Sequence, residues 1–218
     1  MQLFLYVPLF HLFRSYFPEK ISTKNNKLYY EYEAQLRPVT EKKITINYLE
    51  NGKLIAKEFK TYFTHHGPIM AQRDGKWISL KSNNRSMNSL VQSWVRTKSQ
   101  DFEAYKKAMD LKANTSNNTV YADSKGNIAY WHGNFIPIRD KNLNWSKVVD
   151  GTTATTEWKG LHDVSQMVHL YNPTNGWLQN CNSTPYSVAG ENSPKEENYL
   201  PYMAPDGENF RGINAVRL

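Results

Sequence analysis

Asn118 heads the segment NTVYADSKGNIAYWHGNFIPIRD (118–140), and Arg139 stands next to its end. A carboxamide NH2 donates hydrogen bonds without carrying charge and cannot titrate. An arginine is always charged and holds several acceptors at fixed angles. The two raise one question: are they parts of a hairpin only, or of a catalytic site? Other reactive types are sparse. Of the six histidines, only His65 and His66 are adjacent. Neighbours on a strand point to opposite faces, so the pair is not expected to chelate, and no metal site is expected. Cys181 is the sole cysteine, which excludes an intramolecular disulfide and a cysteine-based metal site and suits a small buried hydrophobe. No P-loop, GxGxxG, HExxH or GxSxG motif is present.

The elements that must position these residues follow from composition and pattern. A chain of 218 residues suits one domain or a large part of one. With 14 Tyr and 6 Trp it favours a β-rich fold over disorder. The formal charge of +7 is spread thinly, without a run of five basic residues or a basic helical stripe, so neither a nucleic-acid nor a membrane partner is expected. Residues 1–17 are apolar but too short, and too interrupted by Pro8, His11 and Arg14, for a spanning helix. They also lack the basic start and small-residue cleavage site of a signal peptide, which leaves a third reading, that Met1 is not the true start, open beside the other two.

Residues 28–36 read as one Tyr-rich strand ended by Pro38. Residues 43–49 alternate, with Ile44, Ile46 and Tyr48 on one face, and Asn51-Gly52 turns them into a return strand at 54–64. Asp74-Gly75 turns into a strand at 77–81. Met87, Leu90, Val91, Trp94 and Val95 then fall at helical spacing, an amphipathic helix. Ser99 reads as the cap of a second helix that buries Phe102, Tyr105 and Met109, with Asp101 and Glu103 in its first turn. Strands follow at 119–123 and 128–132, joined by a turn that Asp123 is placed to hold, with a further short strand at 177–181. Residues 190–209 look like a surface segment, and both ends of the chain look cut. Strands, two helices, then strands make an α+β pattern of mainly antiparallel hairpins.

Several short segments, taken in order, carry a resemblance. They are Thr64-His65-His66-Gly67-Pro68-Ile69, Phe102 within SQDFEAY, the 118–139 block, Glu157-Trp158-Lys159-Gly160, the segment 172–177 (NPTNGW) and the segment 180–185 (NCNSTP). From Glu19 onward the chain resembles the β-subunit of the penicillin acylase family of N-terminal-nucleophile amidohydrolases, which includes penicillin, cephalosporin and acyl-homoserine-lactone acylases. The resemblance implies a four-layer αββα sandwich, of which residues 19–218 would be a fragment. Residues 1–18 would be an unmatched stub.

It also implies an activity: hydrolysis of a linear amide between an acyl chain and an amine. The N-terminal residue of the mature family β-subunit, usually Ser, is nucleophile and base together. Asn118 matches the family's side-chain oxyanion donor, with Asn117 as the alternative should the match shift by one residue. Arg139 matches an Arg that helps order the Asn and the amine; otherwise it is a strand-end Arg paired with Asp140 or Asp123. His66 sits in the turn under the substrate pocket. Trp131, Phe135 and Trp177 either line an apolar acyl slot or belong to the core. Ser82-Asn83-Asn84 imitates the family's mature start but reads as a polar turn. The nucleophile-bearing segment is therefore expected to be absent from this chain, which alone would be inactive; the alternative is a β-rich fragment that at most binds an acyl ligand or a partner chain. The family further implies a small-molecule amide substrate, an α-subunit from the same precursor, no required cofactor, a structural Ca²⁺ whose ligands cannot be placed here, and a periplasmic or secreted location.

Overall fold

The computed structural model describes residues 14–83, 86–114 and 117–218. Most of the expected stub and Asn84 of the Ser82-Asn83-Asn84 turn lie outside the described residues. The chain divides into two compact units. One comprises Ser15–Ser82 and Lys147–Glu157; the other holds Arg14, Asn83–Ser146 and Trp158–Leu218. As expected, the fold is α+β with antiparallel pairing in nearly every ladder. Among the described residues no helix is long and apolar enough to cross a membrane.

The first unit is a run of hairpins. Strands β1 (Arg14–Glu19), β5 (Thr40–Glu50), β6 (Lys53–Thr64), β7 (Gly67–Arg73) and β8 (Lys76–Ser82) form a sheet of order β1-β8-β7-β6-β5. Strands β2 (Ile21–Lys24), β3 (Lys27–Tyr32) and β4 (Gln35–Pro38) form a second sheet. Residues 14–18, expected to be outside the fold, lie in β1, with Phe17 fully buried. The Asn51-Gly52 and Asp74-Gly75 turns stand where expected, with φ of 50° and 77°, and of 50° and 72°. Positive φ at both central residues gives a turn whose twist matches the flanking strands, and Asn, Asp and Gly reach it at little cost.

Residues 28–36 are not one strand. They fold back at Glu33-Ala34, where φ is 49° and 57°. Neither residue favours that conformation. Contacts distant in sequence hold it: Glu33 N–H donates to the Thr152 carbonyl at 2.8 Å, and Ala154 N–H donates to Glu33 Oε1 at 2.6 Å. Between β6 and β7, Gly67 has φ of +142°, and a Cβ there would lie 2.1 Å from the Leu80 carbonyl oxygen, so only glycine fits. The β5–β6 alternation is as expected, but Ile44, Ile46 and Tyr48 are exposed within this chain.

The second unit pairs helices with a small sheet. Strands β9 (Thr119–Ala122), β10 (Ile128–Trp131) and β11 (His169–Tyr171) take the order β11-β10-β9. Phe102, Tyr105, Tyr121, Trp131 and Tyr171 form an aromatic cluster with ring centroids 4.7–6.3 Å apart. The strand expected at 177–181 is replaced by β11. Residues 172–193 instead follow turns at Asn172, Gly176 and Gly190, where φ is positive. Helix α3 (Phe210–Arg217) closes the chain and was not read from the sequence.

Helix α1 (Met87–Lys98) and helix α2 (Phe102–Met109) lie where expected, but one detail differs. Asp101, not Ser99, caps α2, its side chain accepting from Ala104 N–H at 2.8 Å. The apolar stripe of α1 is outward: Met87, Leu90 and Trp94 are 75%, 64% and 65% exposed. The inward residue is Gln92, fully buried, whose Oε1 accepts from Ala113 N–H at 2.8 Å and Asn114 N–H at 2.7 Å. Two buried backbone donors after α2 need an acceptor, and Gln92 is it. Gln92→Leu keeps the size and removes the acceptor. It is expected to cost about 2 kcal/mol, read as a lower urea midpoint with unchanged far-UV dichroism.

Candidate active site

Asn118 is placed by the β9–β10 hairpin. It precedes β9, and Gly133 follows β10, so the antiparallel register sets them side by side. Gly133 N–H donates to Asn118 Oδ1 at 3.2 Å, and Asn118 Nδ2 donates to Asn180 Oδ1 at 3.2 Å. Asn180 Oδ1 also accepts from Asn182 N–H at 3.2 Å. The carbonyl end of the Asn118 amide is thus pinned to backbone, which aims the NH2 the other way. One of its two hydrogens goes to Asn180. Among the described residues the second has no acceptor, which leaves a donor on a half-buried, neutral group. Asn117 is exposed, and its carbonyl oxygen accepts from Asn134 Nδ2 at 2.7 Å.

Arg139 is buried at 4% exposure. Its Nη2 donates to the Arg14 carbonyl at 3.1 Å, and its guanidinium lies 5.2 Å from the Trp145 ring and 5.5 Å from the Trp158 ring. Burial pulls the guanidinium down to about 10, with Tyr202 acting weakly the other way, so it stays cationic at neutral pH. Arg139 borders a cavity of about 510 Å³ with Leu143, Trp145, Pro201 and Tyr202. The aspartates considered as its strand-end partners are engaged elsewhere. Asp140 Oδ1 accepts from Asn142 N–H at 2.9 Å. Asp123 holds its turn as expected, accepting from Lys125 N–H, Asn127 N–H and Asn127 Nδ2 at 2.8–3.0 Å. Those contacts, led by the Asn127 side chain, hold the Asp123 carboxyl below the usual range. The partners of Asn118 are Gly133 and Asn180, so the expected ordering by Arg139 is not a direct contact.

Among the expected pocket residues, Trp131 and Phe135 are interior, at 1% and 0% exposure. Trp131 Nε1 donates to Tyr171 Oη at 2.9 Å, which ties it into the aromatic cluster. Trp177 is the accessible one, at 37%. Sequence reasoning missed a second buried polar group in this unit: His132 lies between Tyr130 Oη, at 2.9 Å, and Asp206 Oδ2, at 2.8 Å.

His66 belongs to the other unit. The expectation that His65 and His66 diverge is corrected: they occupy the turn between β6 and β7, not a strand, so the alternation of faces does not apply. Both rings meet Glu157. His65 Nε2 lies 2.8 Å and His66 Nε2 3.0 Å from Glu157 Oε1, while Lys81 Nζ holds Oε2. Behind His66, its Nδ1 lies 2.8 Å from Oε1 of the fully buried Glu19, and its ring stacks on Phe17 at 3.9 Å. No spacing along the chain pairs Glu19 or Glu157 with these histidines, since each meets them only through long-range folding. The sole signal was Glu157 within the Glu-Trp-Lys-Gly segment.

Burial pulls His66 down, but Glu157 and then Glu19 outweigh it, and the net shift is upward. Burial pushes Glu157 up, but its contacts with His65, His66 and Lys81 hold it far below the usual range. The two signs are opposite. Raised His66 contributes stability that is fully present below the ordinary histidine value and is lost as pH rises through its raised value. Depressed Glu157 contributes stability present above the ordinary glutamate value and lost as pH falls below it. Thermal melting at a series of pH values is therefore expected to show a maximum between those flanks. Glu157→Gln should flatten the acid flank.

The chain is similar to known proteins in family and in fold. The model of the penicillin amidase family matches residues 14–214. Penicillin G acylase of Escherichia coli is 28% identical over 174 residues, which cover 78% of this chain and 20% of that protein. The chain thus spans about a fifth of the length of the curated relative it matches. A thermostable penicillin G acylase structure from Alcaligenes faecalis superposes with a TM-score of 0.66 at 24% identity, over 79% of this chain and 31% of that one, which supports the fold. With a family match across nearly the whole described chain, the chain belongs to the penicillin amidase family.

Proposed function

We propose that this chain is part of an amidohydrolase that cleaves a linear amide between an acyl chain and an amine, with Asn118 donating to the oxyanion. The observation that carries it is the Asn118 carboxamide, held by Gly133 so that its NH2 points away from the backbone. In the reading, the N-terminal residue of a segment outside this chain is the nucleophile. Its hydroxyl oxygen attacks the amide carbon, and its own α-amine takes the proton. Negative charge collects on the former carbonyl oxygen, where Asn118 Nδ2 donates to it. Collapse breaks the carbon–nitrogen bond, the amine leaves with a proton, and water then releases the acid from the acyl ester.

Arg139 is a positioning residue in this reading. It borders the cavity and anchors the strand end, while Trp177 offers an accessible aromatic face to an acyl group. Trp131 and Phe135 support the surroundings from the interior rather than touch substrate, and His66 belongs to the other unit. The reading needs no cofactor. Its partners are the amide substrate and a companion chain from the same precursor, acting outside the cytoplasm.

The relative's name makes penicillin G the first substrate to try. The assay follows release of free amine by the native protein with its companion chains, and by the isolated chain. Turnover by the assembly and none by the isolated chain is the expected result. Turnover by the isolated chain that survives Asn118→Ala would overturn the reading.

A further inference from the structure

The geometry points to a divalent-metal site of the zinc class formed by His65 Nε2, His66 Nε2 and Glu157 Oε1. It lies apart from the Asn118 constellation in sequence and unit, and does not rest on the hydrolase reading. Among the described residues these three ligand atoms lie within 4.8 Å of one another. Two imidazoles and one carboxylate are a donor set that suits zinc and its borderline neighbours better than calcium or magnesium, which prefer all-oxygen shells.

Four features make this more than a chance cluster. First, the ligand spacing is close to what a metal needs. Ligand atoms about 2.0–2.1 Å from a tetrahedral zinc lie about 3.3–3.4 Å apart. The imidazole–carboxylate pairs here stand at 2.8 and 3.0 Å and all three ligand atoms lie within 4.8 Å of one another, so the side chains have to open around an ion without leaving the cluster. Second, both outer ring nitrogens already have partners. His66 Nδ1 faces the Glu19 carboxylate at 2.8 Å, and His65 Nδ1 faces Tyr30 Oη at 3.1 Å. With Nδ1–H donated outward, Nε2 carries the lone pair toward the ion, the arrangement that fixes metal-binding histidines. Third, the His66 side chain is fully buried and its Nε2 is held 3.0 Å from Glu157 Oε1, outside hydrogen-bond geometry among the described residues, so the nitrogen is fixed toward the carboxylate that would share the ion. Fourth, there is an entry path: the His65 side chain is 26% exposed and that of Glu157 22%, while His66 closes the rear.

Lys81 opposes the ion, since its ammonium holds Glu157 Oε2. It must stay on that oxygen or pivot outward, and either way Oε1 remains for the metal. A bound ion would tie the β6–β7 turn to a residue 92 positions on, clamping the two ends of this unit.

The test is calorimetric titration of zinc chloride into the tag-free chain, with visible spectra of the cobalt(II) complex. Expected is one ion per chain, intense d–d bands of low-symmetry cobalt, and loss of affinity of about tenfold or more in both His65→Ala and Glu157→Gln. His169→Ala, in the other unit, should bind as the parent does. Lys81→Met should bind more tightly. His65 is partly exposed, so His65→Ala keeps the test alive if Glu157→Gln fails to fold. Absence of saturable binding to the parent chain, or binding unchanged in His65→Ala, would overturn the proposal.

Discussion

Under the proposed amidohydrolase reading, Asn118→Ala in the assembly with its companion chains is expected to lower kcat for amide hydrolysis by about 10²–10³-fold while KM changes little. The reason is where the charge appears. A ground-state amide oxygen is a modest acceptor, whereas the tetrahedral oxyanion is a strong one, so a donor aimed at it is worth more in the transition state. Asn118 is suited to this because its orientation does not have to be found during the reaction. Gly133 N–H holds its oxygen at 3.2 Å, and Asn180 takes one NH2 hydrogen at 3.2 Å. A 10²-fold loss corresponds to about 2.7 kcal/mol, the scale of one preorganised hydrogen bond to a developing charge. Asn118→Asp should be at least as damaging, since a carboxylate repels the oxyanion and has no hydrogen to donate. Steady-state kinetics on both variants decide the matter. A kcat within twofold of the parent in Asn118→Ala would remove Asn118 from the reaction and turn attention to Asn117.

Glu19→Ala is expected to destabilise the hairpin unit by about 3–5 kcal/mol, the range for breaking a buried charged pair from one side. Glu19 is fully buried, and one oxygen gathers three donors: Thr64 Oγ1 at 2.8 Å, His66 Nδ1 at 2.8 Å and Ser79 Oγ at 2.6 Å. Those donors come from the end of β6, the following turn and β8, so the carboxylate joins three pieces of the sheet to β1. Alanine leaves a buried imidazole and two hydroxyls facing a cavity. Glu19→Gln keeps one accepting oxygen and most of the volume, so its loss should be clearly smaller. Urea unfolding followed by far-UV dichroism measures both. Equal midpoints for the parent and Glu19→Ala would show that the cluster holds nothing together.

Local chemistry settled some of this protein from the sequence alone. Asn51-Gly52 and Asp74-Gly75 were readable as hairpin turns because few residue pairs accept positive φ twice in succession, and the constraint lies within the turn itself. The positions of α1 and α2 followed from helical spacing, which acts within a few turns, while the cap of α2 fell on Asp101 rather than Ser99. Asn118 stood out by its place in a matched segment. What each side chain faces was decided by tertiary structure. The Glu33-Ala34 turn exists because Thr152 and Ala154 bond to it from far along the chain. Gln92 points inward, against the apolar stripe of its own helix, because two backbone N–H groups beyond α2 have to be satisfied. His65 and His66 converge because they sit in a turn, and the carboxylate they share arrives with Glu157, 92 positions after His65. The direction of the Asn118 amide depends likewise on Gly133 and Asn180. Spacing along the chain carries no information about such partners, since it constrains only the backbone a few residues either side.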